Sequence, residues 1–168
     1  GFSASPPAIA ATNICLAYQA GGLGARSFND ATLAGVKKAQ DEYSFTFEAV
    51  VTDGTPTDRE RRLRTLISKD CASIIAVGSG YAPVISELAT EFPKAKFAII
   101  NDASVRKLNV TSIIFDQDQL AFLAGYSAAL SSKNGKVAML TSPISADAYE
   151  GGFRIGAKAA NKNIRTYS

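Results

Sequence analysis

The sequence predicts an α/β fold, a doubly wound parallel sheet, and three observations carry that prediction. Its apolar runs are mostly continuous rather than alternating, which is how strands covered on both faces read. Helical patterns separate the runs in turn, as parallel βαβ units require. The stretch Ile14 to Tyr43 joins an apolar run to an amphipathic segment through Gly21, Gly22 and Gly24, which permit a tight reversal. Ser27 with Asp30 three residues on resembles a capping box that opens the helix. A strand feeding a helix in this way puts a binding crevice at the strand's carboxyl end, beside free helix N–H groups.

The remaining elements follow in order. Phe45 to Val51 reads as a strand, Thr52-Asp53-Gly54 as a turn, and Thr55 with Pro56 and Asp58 as a helix start whose buried stripe is Leu63, Leu66 and Ile67. Ala72 to Val77 is a strand, Gly78 to Tyr81 a second glycine loop, and Pro83 to Phe92 a helix burying Val84, Ile85, Leu88 and Phe92. Phe97 to Ile100 makes a fourth strand ending at Asn101-Asp102, and Thr111 to Phe115 a fifth that meets Asp116. Leu120 to Leu130 is a nearly all-apolar helix, Lys136 to Thr141 a strand, Asp147 to Ala160 a helix, and Ile164 to Tyr167 a last strand.

Composition sets the outer limits. A chain of 168 residues, 46% apolar and 20% charged, can bury a real core. No run approaches the roughly 18 to 20 apolar residues of a membrane helix. The net charge of +3 is mild, and the one dense basic cluster, Arg59, Arg61, Arg62 and Arg64, reads as a solvated helix face rather than a nucleic-acid surface. Residues 1–12, small and proline-bearing, suit a flexible tether left after a targeting segment. Cys15 and Cys71 match no zinc or thioredoxin spacing. Cys15 lies at the start of the first strand and Cys71 just before the third, strands that neighbour one another in a sheet of order 2-1-3-4-5, so a bridge is open to them outside the cytoplasm. Two buried free thiols are the plainer expectation.

Several blocks together carry a family resemblance: Gly21 to Asp30, Phe97 to Ile100, Ala121 to Tyr126, Ser132 to Val137, and Gly152 to Lys158. In this order they resemble the basic membrane protein family, substrate-binding lipoproteins of ABC importers that include purine nucleoside receptors and are built as type I periplasmic binding proteins. The resemblance implies a first ligand-binding lobe over residues 13–116 and the opening elements of a second over 117–168. It implies an extracytoplasmic, lipid-anchored protein whose signal and lipidation site lie outside this sequence, an ABC permease as partner, and a purine nucleoside or similar small molecule as ligand. An unfinished second lobe exposes strand edges and apolar helix faces, so pairing of two copies or a domain swap is expected.

The site residues follow from the same alignment. Phe28 matches the aromatic that stacks on the purine, a geometry that a planar base rewards. Ser27 and Asn29 flank it, and Ser27 also suits a helix cap. Gly78, Ser79 and Tyr81 occupy the loop after the third strand, and Asn101 and Asp102 the end of the fourth. Gln19 and Asn101 stand where nucleoside-binding relatives place aspartates, and Ala25 replaces an acidic residue. An amide brings N–H donors and no charge where a carboxylate only accepts. Loss of a charged hydrogen-bond partner costs about 1.5–3 kcal/mol, or about ten- to a hundredfold in affinity.

Catalysis is disfavoured on inventory. The chain has no histidine to act as a base near neutral pH or to ligate a metal, and no cofactor is expected. Gly22 to Ser27 imitates a dinucleotide fingerprint weakly, with Asp53 too far along to complete it, so a Rossmann-like enzyme ranks below a receptor. Ser79 lacks the nucleophile elbow. Asp116 and Asp118 lack cation-loop spacing and suit a helix start. A further alternative is a secreted or tethered interaction domain or surface antigen in which ligand binding is vestigial.

Overall fold

Strand β1 (Thr12–Tyr18) is the axis of the first unit. It pairs in parallel with β2 (Phe45–Val51) on one side and β3 (Ser73–Val77) on the other. Strands β4 (Phe97–Ile100) and β5 (Val110–Ile113) extend the sheet to the order β2-β1-β3-β4-β5, the order expected from the sequence. This computed structural model describes residues 12–141 and 146–168. Most of the expected tether, residues 1–11, lies outside them. Thr12, the tether's last residue, instead opens β1 and pairs with Phe45.

Helices cover both faces, and this is why β1 reads as a continuous apolar run. Cys15 and Ala17 point into a core shared with Leu63 and Leu66 of α2 (Pro56–Ser68) and with Val84, Ile85 and Leu88 of α3 (Ala82–Glu91). Leu16 and Tyr18 point the other way, into a smaller core with Val36 of α1 (Phe28–Glu42) and Val77. These four residues of β1, Cys15 to Tyr18, are fully or almost fully buried. At the far end of α3, the Asn109 carboxamide donates to the carbonyls of Ala89, Phe92 and Ala95 and so ties the helix end to the turn that follows it.

The two cysteines form a disulfide across β1 and the approach to β3, with Cα atoms 5.9 Å apart. This corrects the expectation of free thiols. The Ala72 N–H donates to the Asn13 carbonyl, so the chain entering β3 is already drawn against the start of β1 before the register Ile14–Ser73 begins. Adjacent strands thereby bring the two side chains into bonding range.

The chain divides between Ile114 and Phe115 into two units. In the second, α4 (Gln117–Ser131) packs on α5 (Ala146–Ala160), beside a two-stranded parallel sheet of β6 (Lys136–Ala138) and β7 (Arg165–Tyr167). The helices meet backbone to backbone. A Cβ at Gly125 would stand 1.9 Å from the Phe153 carbonyl oxygen, and one at Gly156 would stand 1.9 Å from that of Phe122. With its glycine face spent on α5, α4 leaves Leu120, Leu123 and Leu130 exposed, and α5 leaves Ile155 exposed. Among the described residues no helix is long and apolar enough to cross a membrane.

The disulfide closes a loop between residues 56 apart, and such a constraint on the unfolded chain stabilises by about 4 kcal/mol. Urea unfolding with and without reductant is expected to differ by about that amount. Equal midpoints, or free thiols in the unreduced unfolded chain, would overturn the bridge.

Candidate ligand-binding site

Four loops gather at the carboxyl ends of the strands: 19–27 after β1, 52–55 after β2, 78–81 after β3 and the segment from Asn101 after β4. The strand order reverses between β1 and β3, where an open α/β sheet forms its binding crevice. The first loop is fixed from inside. Asn29, 2% exposed, accepts from the Gln19 N–H at 3.0 Å and donates to the carbonyls of Gln19 at 3.1 Å and Gly22 at 2.8 Å. Its side chain is occupied by the loop and is therefore a positioning group, a role that the sequence did not single out.

Asp30 secures the same loop from the other side. Its carboxylate accepts from the N–H groups of Gly24 and Ser27 and from the Ser27 hydroxyl. Those bonds, the Gly24 N–H first, hold its carboxyl below the usual range. Ser27 thus serves the helix start, as its spacing to Asp30 suggests. Phe28, the first residue of α1, is 41% exposed beside this clamp and lies outside both cores of the first unit.

The loop after β3 is built against the first. Gly78 has φ +96°, and a Cβ there would stand 2.8 Å from the Gln19 carboxamide. Ser79 is exposed. Tyr81 is 1% exposed: its ring is core, and its hydroxyl donates to the Tyr18 carbonyl at 2.7 Å. Tyr81, placed among the site residues by its loop, is instead a strut between the turn after β3 and the end of β1. Burial pushes its phenol up to about 12. Asn101 takes φ +65°, and one Asp102 oxygen accepts from the N–H and hydroxyl of Ser104. Both residues are partly exposed.

The arginine cluster is less uniform than a solvated face. Asp58, nearly buried at the start of α2, accepts from the Asp53 N–H and pairs with Arg61 and Arg62. The Asp53 N–H is the chief reason that its carboxyl is lowered to about 2. Arg64 pairs with Glu60 and Glu91. Arg59 instead lays its guanidinium over the Tyr81 ring, 5.6 Å from the centroid. Among the described residues two side-chain polar atoms are buried without a hydrogen-bond partner, Tyr18 Oη and Arg59 Nε. Tyr18 ends β1 and Arg59 lies early in α2, so both belong to the carboxyl end of the sheet. Only the folded chain reveals them, because each reads in sequence as part of an ordinary stripe.

A hollow of about 810 Å³ opens at the opposite, amino end of the sheet, lined by Ser73, Lys96, Phe97, Asn109 and their neighbours. Its walls are strand starts and lysine stems, and neither orphaned atom belongs to it. Among the described residues one cluster has metal-ligand types, Cys15, Glu48 and Cys71. Its two sulfurs are bonded to each other, and its carboxylate is paired with Lys69.

Comparison with known proteins agrees with this architecture. A crystal structure of an ABC transporter solute-binding protein from Aeropyrum pernix superposes with a TM-score of 0.74 at 22% identity, over 92% of this chain and 46% of that one. Parallel order 2-1-3-4-5 with its loops gathered over one end is the architecture of the periplasmic binding proteins of ABC transporters. Residues 12–168 match the family model described as ABC transporter substrate-binding protein, PnrA-like, and the chain belongs to that family, Bmp. It is 32% identical to basic membrane protein A of Borreliella burgdorferi over 145 residues, 83% of this chain and 42% of that protein. It is 29% identical to a CD4+ T-cell-stimulating antigen of Listeria innocua over 163 residues, 90% of this chain and 44% of that one. The chain thus spans less than half the length of these curated relatives.

Two variants check the clamp and its neighbour. Asn29→Ala strands partly buried backbone groups of Gln19 and Gly22, at up to about 1–3 kcal/mol each. It is expected to lower the unfolding midpoint clearly, whereas an unchanged midpoint would remove Asn29 from the clamp. Asp58 has a depressed folded-state pKa, so the stability it lends is full above about pH 4, the unfolded carboxyl value, and fades as pH falls through about 2. Asp58→Asn is expected to flatten the acid limb of a stability-versus-pH curve; an identical limb would contradict the assignment.

Proposed function

We propose that the crevice over the carboxyl ends of β1, β3 and β4 binds a purine nucleoside or a similar planar small molecule, as the recognition step of an ABC importer. Phe28 is the observation that carries this reading. By the family resemblance it stands where the nucleoside receptors carry their stacking aromatic, and its ring is exposed beside the clamped loop, where a planar ligand can lie on it. Gln19, Ser79, Asn101 and Asp102 supply polar edges around the ring, while Ser27, Asn29, Gly78 and Tyr81 shape the loops that present it. Gln19 and Asn101, being amides, offer donors and acceptors without charge, which weakens or alters recognition of ribose hydroxyls.

The binding event involves no covalent chemistry on this reading, and the partner that receives the ligand is an ABC permease. The protein works outside the cytoplasm, tethered by a lipid anchor, in keeping with a Cys15–Cys71 bridge.

A thermal-shift series with purine and pyrimidine nucleosides tests the proposal, since a ligand of the folded state alone raises Tm with concentration. A purine nucleoside is expected to raise Tm, and Phe28→Ala to reduce the response by about tenfold in apparent affinity, within the stacking range of roughly 1–3 kcal/mol per base. No response to any nucleoside, or an undiminished one in Phe28→Ala, would overturn it.

A further inference from the structure

We propose that Arg59 is an anion-binding point at this crevice, so that the ligand carries a phosphate or carboxylate group. This rests on the reading that the crevice holds a small molecule, and it adds a charge requirement that the nucleoside assignment lacks.

The argument begins with the distribution of charge on α2. Arg61 and Arg62 share Asp58, and Arg64 holds both Glu60 and Glu91. Among the described residues the Arg59 side chain has no ion pair or hydrogen bond, and its Nε is buried without a partner. Burying a guanidinium nitrogen unsatisfied is costly unless something completes it. The other acids at this end of the sheet are engaged elsewhere. Asp58 is engaged as above, Asp53 accepts from the N–H and hydroxyl of Thr55, and one Asp102 oxygen accepts from Ser104. The ends of β1 and β4 present the neutral amides Gln19 and Asn101.

Geometry fixes the group in place. The guanidinium lies over the Tyr81 ring, and the Tyr81 hydroxyl is committed to the Tyr18 carbonyl. A guanidinium held over an aromatic ring still carries N–H donors in its own plane, and these suit the paired oxygens of a carboxylate or phosphate. Gly80 leaves room for this position. A Cβ there would stand 2.8 Å from Arg59 Nη2. Gly80 belongs to the turn after β3, so the cation sits beside the loop that flanks the point where the strand order reverses.

The test is calorimetric titration at constant ionic strength with four probes: a purine nucleoside, its 5′-monophosphate, inorganic phosphate and a small dicarboxylate. The monophosphate is expected to bind about ten- to a hundredfold more tightly than the nucleoside, the range for a charged hydrogen bond. Inorganic phosphate or the dicarboxylate binding by itself identifies which anion is preferred. Arg59→Gln is expected to erase the preference, and Lys38→Gln, which removes one positive charge from the exposed side of α1, to keep it. Gly80→Ala retains the charge but displaces the guanidinium, and is expected to weaken the preference even if Arg59→Gln folds poorly.

A monophosphate that binds no better than the nucleoside, with neither inorganic phosphate nor the dicarboxylate bound, overturns the anion point and leaves the nucleoside reading standing. An anion preference that survives in both Arg59→Gln and Gly80→Ala also overturns it. Absence of binding by every probe overturns both readings.

Discussion

The candidate site depends on one carboxamide. Asn29 fills the space under the first glycine loop and ties Gln19 to Gly22, so the chain leaving β1 is held in a single path. A buried amide with its acceptor and both donors engaged is rigid, because each lost bond would leave a polar group of the buried side chain or the partly buried loop unsatisfied. Gln19 is held by its own backbone and can lie against Gly78, which couples the loops after β1 and β3. Phe28, one residue before the clamp, is presented outward as a consequence. Rigidity of this kind lets a cleft hold a small ligand without ordering itself first.

Charge is arranged with similar economy on α2. Four arginines lie within six residues, yet three of them are neutralised by acids within the helix or on α3. The fourth turns toward the end of β3, where an aromatic face takes the place of a carboxylate. Its place over the Tyr81 ring offsets part of the cost of leaving a cation unpaired. The same tyrosine props the carboxyl end of β1 through its hydroxyl, so fold and site share one side chain.

The second unit shows how a pattern can be legible while its purpose is hidden. The apolar run of α4 announces a helix, but an all-apolar helix has no polar face to say which side packs. Gly125 and Gly156 decide it, since only a residue without a side chain allows the two backbones to approach so closely. The leucines then fall on the exposed side. Likewise β5 ends at Ile113, so Ile114 and Phe115, which extend the apolar pattern, lie beyond the ladder and are exposed.

By itself the sequence determined the order of elements, the parallel sheet and the family, because continuous apolar runs, caps and glycine loops are local signals set by backbone sterics and burial. It also marked Phe28 and the loops that flank it. Only the tertiary structure decided what each polar group in those loops does. Asn29 and Tyr81 carry the residue types of ligand contacts, and their hydrogen bonds to Gln19, Gly22 and Tyr18 make them supports instead. It decided the cysteines as well, since bonding depends on strand adjacency that no spacing fixes, and it separated Arg59 from its paired neighbours. A partner reached across the fold leaves no periodic trace in the chain, and so its identity waits on the packing.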